Sequence, residues 1–133
     1  MRISRSTGYA LLAVGYIAKN QSDSLVMSQD IAREYDIPLE YLLKILQQLV
    51  RAHVLKSKRG PSGGFCLAKT ASRISMLNII EAVEGPMTSQ LSLAEQSGGA
   101  KLSTKVEKVF DKAIGQARSV FDKTKLSTLI SGK

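Results

Sequence analysis

The stretch SQDIAREYDIPLEYLLKILQQLVR, residues 28–51, decides the fold. Ser28 reads as an N-cap whose hydroxyl satisfies a free amide of a short helix, Gln29 to Tyr35. Asp36-Ile37-Pro38 makes the next joint, and proline suits a helix start because its missing N–H costs nothing there. From Leu39 onward, Leu39, Leu42, Leu43, Ile45, Leu46, Leu49 and Val50 fill one broad face. Glu40, Tyr41, Lys44, Gln47, Gln48 and Arg51 fall on the other. A short helix, a tight turn and a longer helix with a polar outer face is helix-turn-helix spacing.

Past Arg51 the period changes. Val54 to Lys58 and Phe65 to Lys69 read as two strands, joined by the turn-rich Arg59-Gly60-Pro61-Ser62-Gly63-Gly64. This stretch lacks the Gly-Lys-Ser/Thr ending of a nucleotide-binding P-loop. A basic hairpin directly after a helix-turn-helix is a wing. Gly60, Gly63 and Gly64 permit close backbone approach, Pro61 stiffens the turn, and Arg59 offers a charged fork beside Lys56 and Lys58. A plain hairpin turn is the simpler alternative.

Upstream, residues 3–19 are expected to form a helix, with Ile3, Ala10, Leu11, Val14, Ile17 and Ala18 in apolar spacing. A polar break at 20–24 leads to Leu25-Val26-Met27, enough for a short strand. Downstream, Ser75 caps a helix from Met76 to Glu84, which Gly85-Pro86 ends. Residues 87–101 read as a polar loop. Leu102 to Asp122 reads as a long helix in which Leu102, Val106, Val109, Ala113, Ala117 and Val120 step by three or four, with Phe110, Ile114 and Phe121 beside them. Leu126, Leu129 and Ile130 suggest a final amphipathic turn. The expected architecture is mainly α with a small β-hairpin wing: a winged head over 1–85, a loop over 86–101, and a dimerisation helix and turn over 102–133.

The 133 residues are 44% apolar, enough for the core of one domain. Lysine and arginine number 19 against 11 acids, a net charge of +8. The excess is uneven: from Tyr41 to Ile80 the chain carries Lys44, Arg51, Lys56, Lys58, Arg59, Lys69 and Arg73 and no acid. Such a segment fits a partner rich in phosphate or anionic lipid, or simply a solvated basic face. Met1 to Arg5 followed by the apolar Tyr9 to Ala18 superficially resembles an export signal. Tyr16-Ile17-Ala18 lacks a small-x-small cleavage pattern, and the run is far too short to cross a membrane. A cytoplasmic protein without membrane contact is expected.

With one cysteine and one histidine, no disulfide framework, zinc pattern or nucleophile–base triad is available, so an enzyme is not expected. Cys66 reads as a small packed side chain or a redox-responsive thiol. His53 sits at a helix-to-strand joint and reads as structural. On the long polar-faced helix, Tyr41, Lys44, Gln47 and Gln48 are candidates for reading base edges. Glutamine pairs bidentately with adenine, and lysine reaches guanine acceptors. Arg51 closes that face. The apolar positions of the last helix exceed what a lone helix on a small head can bury, which points to a homodimer through Val106, Val109, Phe110, Ala113, Ala117 and Val120. Double-stranded DNA is the expected partner. A protein-interaction module or a Cys66-based redox sensor are the alternatives.

Met1-Arg2-Ile3-Ser4 with Gly8-Tyr9-Ala10, the helix start Ile37 to Leu42, and above all Arg59-Gly60-Pro61-Ser62-Gly63-Gly64-Phe65 resemble the Rrf-type transcriptional regulators, the IscR, NsrR and CymR kind. The likeness covers roughly residues 1–85 closely and the remainder by architecture. It implies a DNA-binding winged head, with Pro38 to Arg51 as the reading helix and Arg59 to Gly64 as the wing tip. Ser4, Arg5, Ser6 and Tyr9 would contact the DNA backbone at the start of the first helix, with Ser28 and Pro38 counted among the DNA-facing residues. A long C-terminal helix would form the dimer, and a repressor is the expected mode. Many members hold an iron–sulfur cluster through three closely spaced cysteines before that helix. Here Met87 to Lys105 contains none, and Glu95 is its one carboxylate. No cofactor or metal is therefore expected, and sensing would run by another route, a regulatory protein partner being one.

Overall fold

The computed structural model describes residues 3–22, 24–88, 93 and 101–132. Ser4 is extended (φ −78°, ψ 163°), and its Oγ accepts the Thr7 N–H at 3.3 Å, so helix α1 runs Arg5–Asn20. Ile3, expected inside this helix, lies before the cap and is half exposed. Ala10, Ala13, Val14 and Ile17 repeat with helical spacing and are fully buried. The apolar run weighed as an export signal lies within α1 and supplies these four core side chains, while its Leu12 is exposed.

Helix α2 spans Ser28–Tyr35 and α3 spans Leu39–Arg51. Between them Asp36 adopts left-handed geometry (φ 53°) and its N–H returns to the Ala32 carbonyl. Pro38, at the N-cap, offers its carbonyl to the Leu42 N–H at 2.9 Å. The turn holds α2 and α3 in helix-turn-helix relation. Leu42, Ile45, Leu46 and Leu49 face the core, each such side chain contributing about 1.5–3 kcal/mol by burial.

Strands β1 (Leu55–Lys58) and β2 (Gly64–Leu67) form an antiparallel hairpin in the register Leu55↔Leu67 to Lys58↔Gly64. The strand expected over Leu25 to Met27 is reduced to one bridge, Val26 with Phe65, closed by two main-chain bonds of 2.9 and 2.8 Å. It ends there because the Met27 carbonyl already accepts the Asp30 N–H, the first bond of α2. The bridge pins the wing to the head.

A 3₁₀ turn (Ala71–Arg73) leads to α4 (Met76–Glu84). Ser75 and Asn78 form a reciprocal capping box at 3.0 and 2.9 Å, and Gly85 (φ 83°) ends the helix. The loop expected over 87–101 lies mostly outside the described residues. Its last position, Lys101, already belongs to the long helix α5 (Lys101–Lys123), which is followed by α6 (Leu126–Leu129). Helix α5 packs on α4, and the chain after it returns to the head. The Met76 N–H donates to the Thr124 carbonyl and the Leu126 N–H to the Ile74 carbonyl, both at 2.8 Å. Leu126 is 1% exposed among the core side chains.

Candidate nucleic-acid interface

Helix periodicity places Tyr41, Lys44, Gln48 and Arg51 on one side of α3, with Gln47 beside them. Together with Ser6 they line a shallow groove of about 320 Å³. The start of α1 is joined to this face. The Ser6 hydroxyl is hydrogen-bonded to the Tyr41 hydroxyl, and the Tyr9 and Tyr41 rings meet edge-on, 5.7 Å apart at 89°. Pro38 stands exposed at the head of α3.

A second groove, about 620 Å³, lies between α3, the N-terminus of α2 and the wing. Gln47 and Arg51 line it from α3, Ser28 and Gln29 from α2, and Ser57, Lys58, Arg59, Gly60 and Gly63 from the wing. Ser28 is not the N-cap expected. Met27 holds that position with no side-chain cap, because the Val26 bridge keeps the chain extended up to it. Ser28 is the first helical residue, and its hydroxyl donates to Gln29 Oε1 at 3.3 Å. Ser28 and Gln29 thus bring the first turn of α2, which has no side-chain cap, to the edge of this groove.

The wing tip is shaped by close packing. The Gly63 N–H donates to the Gly60 carbonyl at 2.9 Å, with Pro61 and Ser62 exposed at the apex. A Cβ on Gly63 would overlap the Lys58 carbonyl oxygen, and one on Gly64 would lie 2.6 Å from the Val26 carbonyl oxygen. Lys56 pairs with Cys66 farther back on the hairpin. Among the described residues Lys44, Arg51, Lys58 and Arg59 are exposed and form no ion pair. Four unneutralised cations along two adjoining grooves form a positive track matched to a phosphate backbone.

The Rrf2 family, described as iron-dependent transcriptional regulators, matches residues 3–132. The chain belongs to the Rrf2 family. IscR of Cereibacter sphaeroides, a helix-turn-helix-type transcriptional regulator, is 34% identical over 101 residues, covering 74% of this chain and 65% of that protein. BadM of Rhodopseudomonas palustris, a helix-turn-helix-type regulator by name, is 44% identical over 84 residues, 63% of this chain. The match spans 53% of BadM, so this chain aligns with little more than half of that relative. In fold it is similar to CymR, the global cysteine regulator of B. subtilis, with a TM-score of 0.83 at 24% identity, covering 100% of this chain and 98% of that one. Staphylococcus aureus CymR is similar as well, at TM-score 0.75 and 25% identity, covering 98% of each chain. The winged helix-turn-helix head with a long C-terminal helix is the architecture of these Rrf2 regulators.

Arg5 points along a different side of α1 from Ser6 and lines an apolar groove with Leu12, Leu129 and Ile130. On α5, Val109, Phe110, Ala113 and Val120 are exposed, whereas Val106 and Ala117 are half-buried. Cys66 is half-buried on β2. His53 takes left-handed geometry (φ 62°) just beyond the C-cap of α3, at the helix-to-strand joint. An iron–sulfur cluster does not fit the donors of this Rrf2 chain. Cys66 stands by itself on a wing strand, and the described residues contain no cluster of three or more cysteine, histidine, aspartate or glutamate side chains able to hold a metal.

One residue escaped the sequence reading. Glu84, in the last turn of α4, accepts hydrogen bonds from the Ser4 hydroxyl and from Thr7 Oγ1, the latter at 2.6 Å. The Ser4 and Thr7 hydroxyls hold its carboxyl below the usual glutamate range. A signal was present: an acid in a helix's last turn opposes the macrodipole and needs a partner elsewhere.

Proposed function

We propose that this Rrf2-family chain is a sequence-reading transcriptional repressor that binds duplex DNA as a homodimer in the cytoplasm and is not an enzyme. Residues 1–85 form the DNA-binding head, and the helix within 102–133 joins two copies. The observation that carries this reading is the unpaired track of Lys44, Arg51, Lys58 and Arg59 across the reading helix and wing. In the proposed complex, Lys58 and Arg59 hold phosphates or a narrow minor groove, as does Lys56, whereas Arg5, on the other side of α1, reaches at most the edge of that surface. Tyr41, Lys44, Gln47 and Gln48 face base edges. Ser4, Ser6, Tyr9, Ser28 and Pro38 meet the backbone alongside, and Arg51, Gly60, Pro61, Ser62 and Gly63 complete the contact surface.

Binding measured by fluorescence anisotropy should weaken linearly on a log–log plot against salt. Lys58→Ala and Arg59→Ala should each weaken all duplexes alike and flatten that slope by about one unit. A salt-independent interaction, or none with duplex DNA, would favour a protein-binding module.

The regulator carries no cluster, and its signal enters elsewhere, with a regulatory protein partner the route that the family resemblance suggests. Protein purified without oxygen should be colourless, hold less than stoichiometric iron and acid-labile sulfide, and still bind its operator. A brown protein with stoichiometric iron and sulfide would contradict this.

A further inference from the structure

Thr7 is 0% exposed, so its hydroxyl must find a partner inside the protein. It donates to Glu84 Oε1 at 2.6 Å, and the Ser4 hydroxyl donates to the same oxygen. Ser4 is also the N-cap of α1, accepting the Thr7 N–H at 3.3 Å. One carboxylate oxygen therefore gathers both side chains that set where and how α1 begins. Its negative charge lies at the positive end of a 16-residue helix whose own first turn contains no acid.

Ser6, which lies between Ser4 and Thr7 in the chain, instead bonds Tyr41, and Tyr9 packs edge-on against the same ring. A continuous set of contacts thus runs from the end of α4, through the first turn of α1, to the start of the reading helix. Three residues before Glu84, Glu81 accepts from Arg118 Nη2 at 3.3 Å and from the Met87 N–H at 2.8 Å. Helix α4 accordingly ties the long helix with one carboxylate and the DNA-facing start of α1 with the other.

We propose that Glu84 is a positioning residue for DNA binding: it fixes the first turn of α1 and, through Ser6 and Tyr9, the placement of Tyr41 on the reading helix. This rests on the DNA-binding function proposed above. The role runs against simple charge logic. An exposed acid beside a phosphate-facing surface repels DNA, so deleting an inert Glu84 would tighten binding. Deleting a positioning Glu84 weakens it.

The test uses the full chain, a labelled mixed-sequence duplex and the duplex that the wild type selects from genomic DNA, with thermal melts of every variant. Glu84→Ala and Thr7→Val should each weaken binding about three- to ten-fold, the range of a lost hydrogen bond. The double variant should be no weaker than Glu84→Ala, since the two act as one unit. Thr7→Ser, which keeps the donor but loses a methyl, should restore the affinity lost in Thr7→Val. Variants that melt lower yet bind as tightly as wild type, or a Glu84→Ala that binds more tightly, would reduce the contact to fold support and overturn the proposal. A wild type that neither binds the mixed-sequence duplex nor retains any genomic fragment would overturn the DNA-binding reading and this inference with it.

Discussion

Aspartate in place of Phe110 is expected to leave a monomer that has lost nearly all affinity for a two-half-site operator. Of the 23 residues of α5, Ser103 is the one described as buried, whereas Val109 is 67%, Val120 62% and Phe110 45% exposed. Isolated exposed apolar residues are ordinary, but Val109 and Val120, eleven residues apart, share one side of a helix that also packs on α4, and Phe110 adjoins Val109. In a two-fold dimer each buried side chain counts twice, at about 1.5–3 kcal/mol apiece, and an aspartate there would bury two unpaired charges. A monomer must also bind each half-site separately, forfeiting an avidity of about 10²–10⁴. Light scattering should report a wild-type dimer and a Phe110→Asp monomer with the head still folded. The Leu126 anchor and the bond to the Ile74 carbonyl hold the tail to its own head and should survive the change. A wild type that is monomeric at micromolar concentration would remove the dimer from the account.

Alanine at Tyr41, Lys44, Gln47 and Gln48 together should abolish sequence preference while sparing much of the non-specific affinity. Each well-formed base contact discriminates by about 1–3 kcal/mol, so losing several levels a preference of a hundred-fold or more. Alanine favours helix, and the buried Leu42, Ile45, Leu46 and Leu49 are untouched, so α3 persists. Lys58, Arg59 and Arg51 remain to hold phosphate. Tyr41 contributes twice, since its loss also releases Ser6 and Tyr9. Competition between preferred and mixed-sequence duplexes reads the ratio directly. An unchanged ratio would mean that α3 is not the reading helix.

The helix-turn-helix and wing were legible because their signals are local. Seven apolar side chains at helical spacing from Leu39, then Gly60, Pro61, Gly63 and Gly64, leave few alternative folds. The limits of α1 and α2 were misplaced where a cap depends on tertiary context. Ser4 rather than Ile3 opens the helix because its hydroxyl reaches Thr7, and Ser28 loses the cap role because the bridge at Val26 extends the chain through Met27. The return of the tail was half legible. Leu126, Leu129 and Ile130 marked an amphipathic turn, but the main-chain bonds at Met76 and Leu126 that fasten it leave no trace in side-chain pattern. Within the site, periodicity put Glu40, Tyr41, Lys44, Gln47, Gln48 and Arg51 on one polar face, and all of them but Glu40 line one groove. It could not show that Glu84, 77 residues from Thr7 in the chain, sets the start of α1.

Selection of fragments from genomic DNA by the purified wild-type protein, sequenced and repeated with the four-alanine variant, tests the central claim most directly. Wild type should enrich a two-fold symmetric motif whose half-sites lie about one helical turn apart, and the variant should recover no motif. Wild-type selection that returns random genomic sequence, or the same motif from both proteins, would contradict DNA reading by this helix.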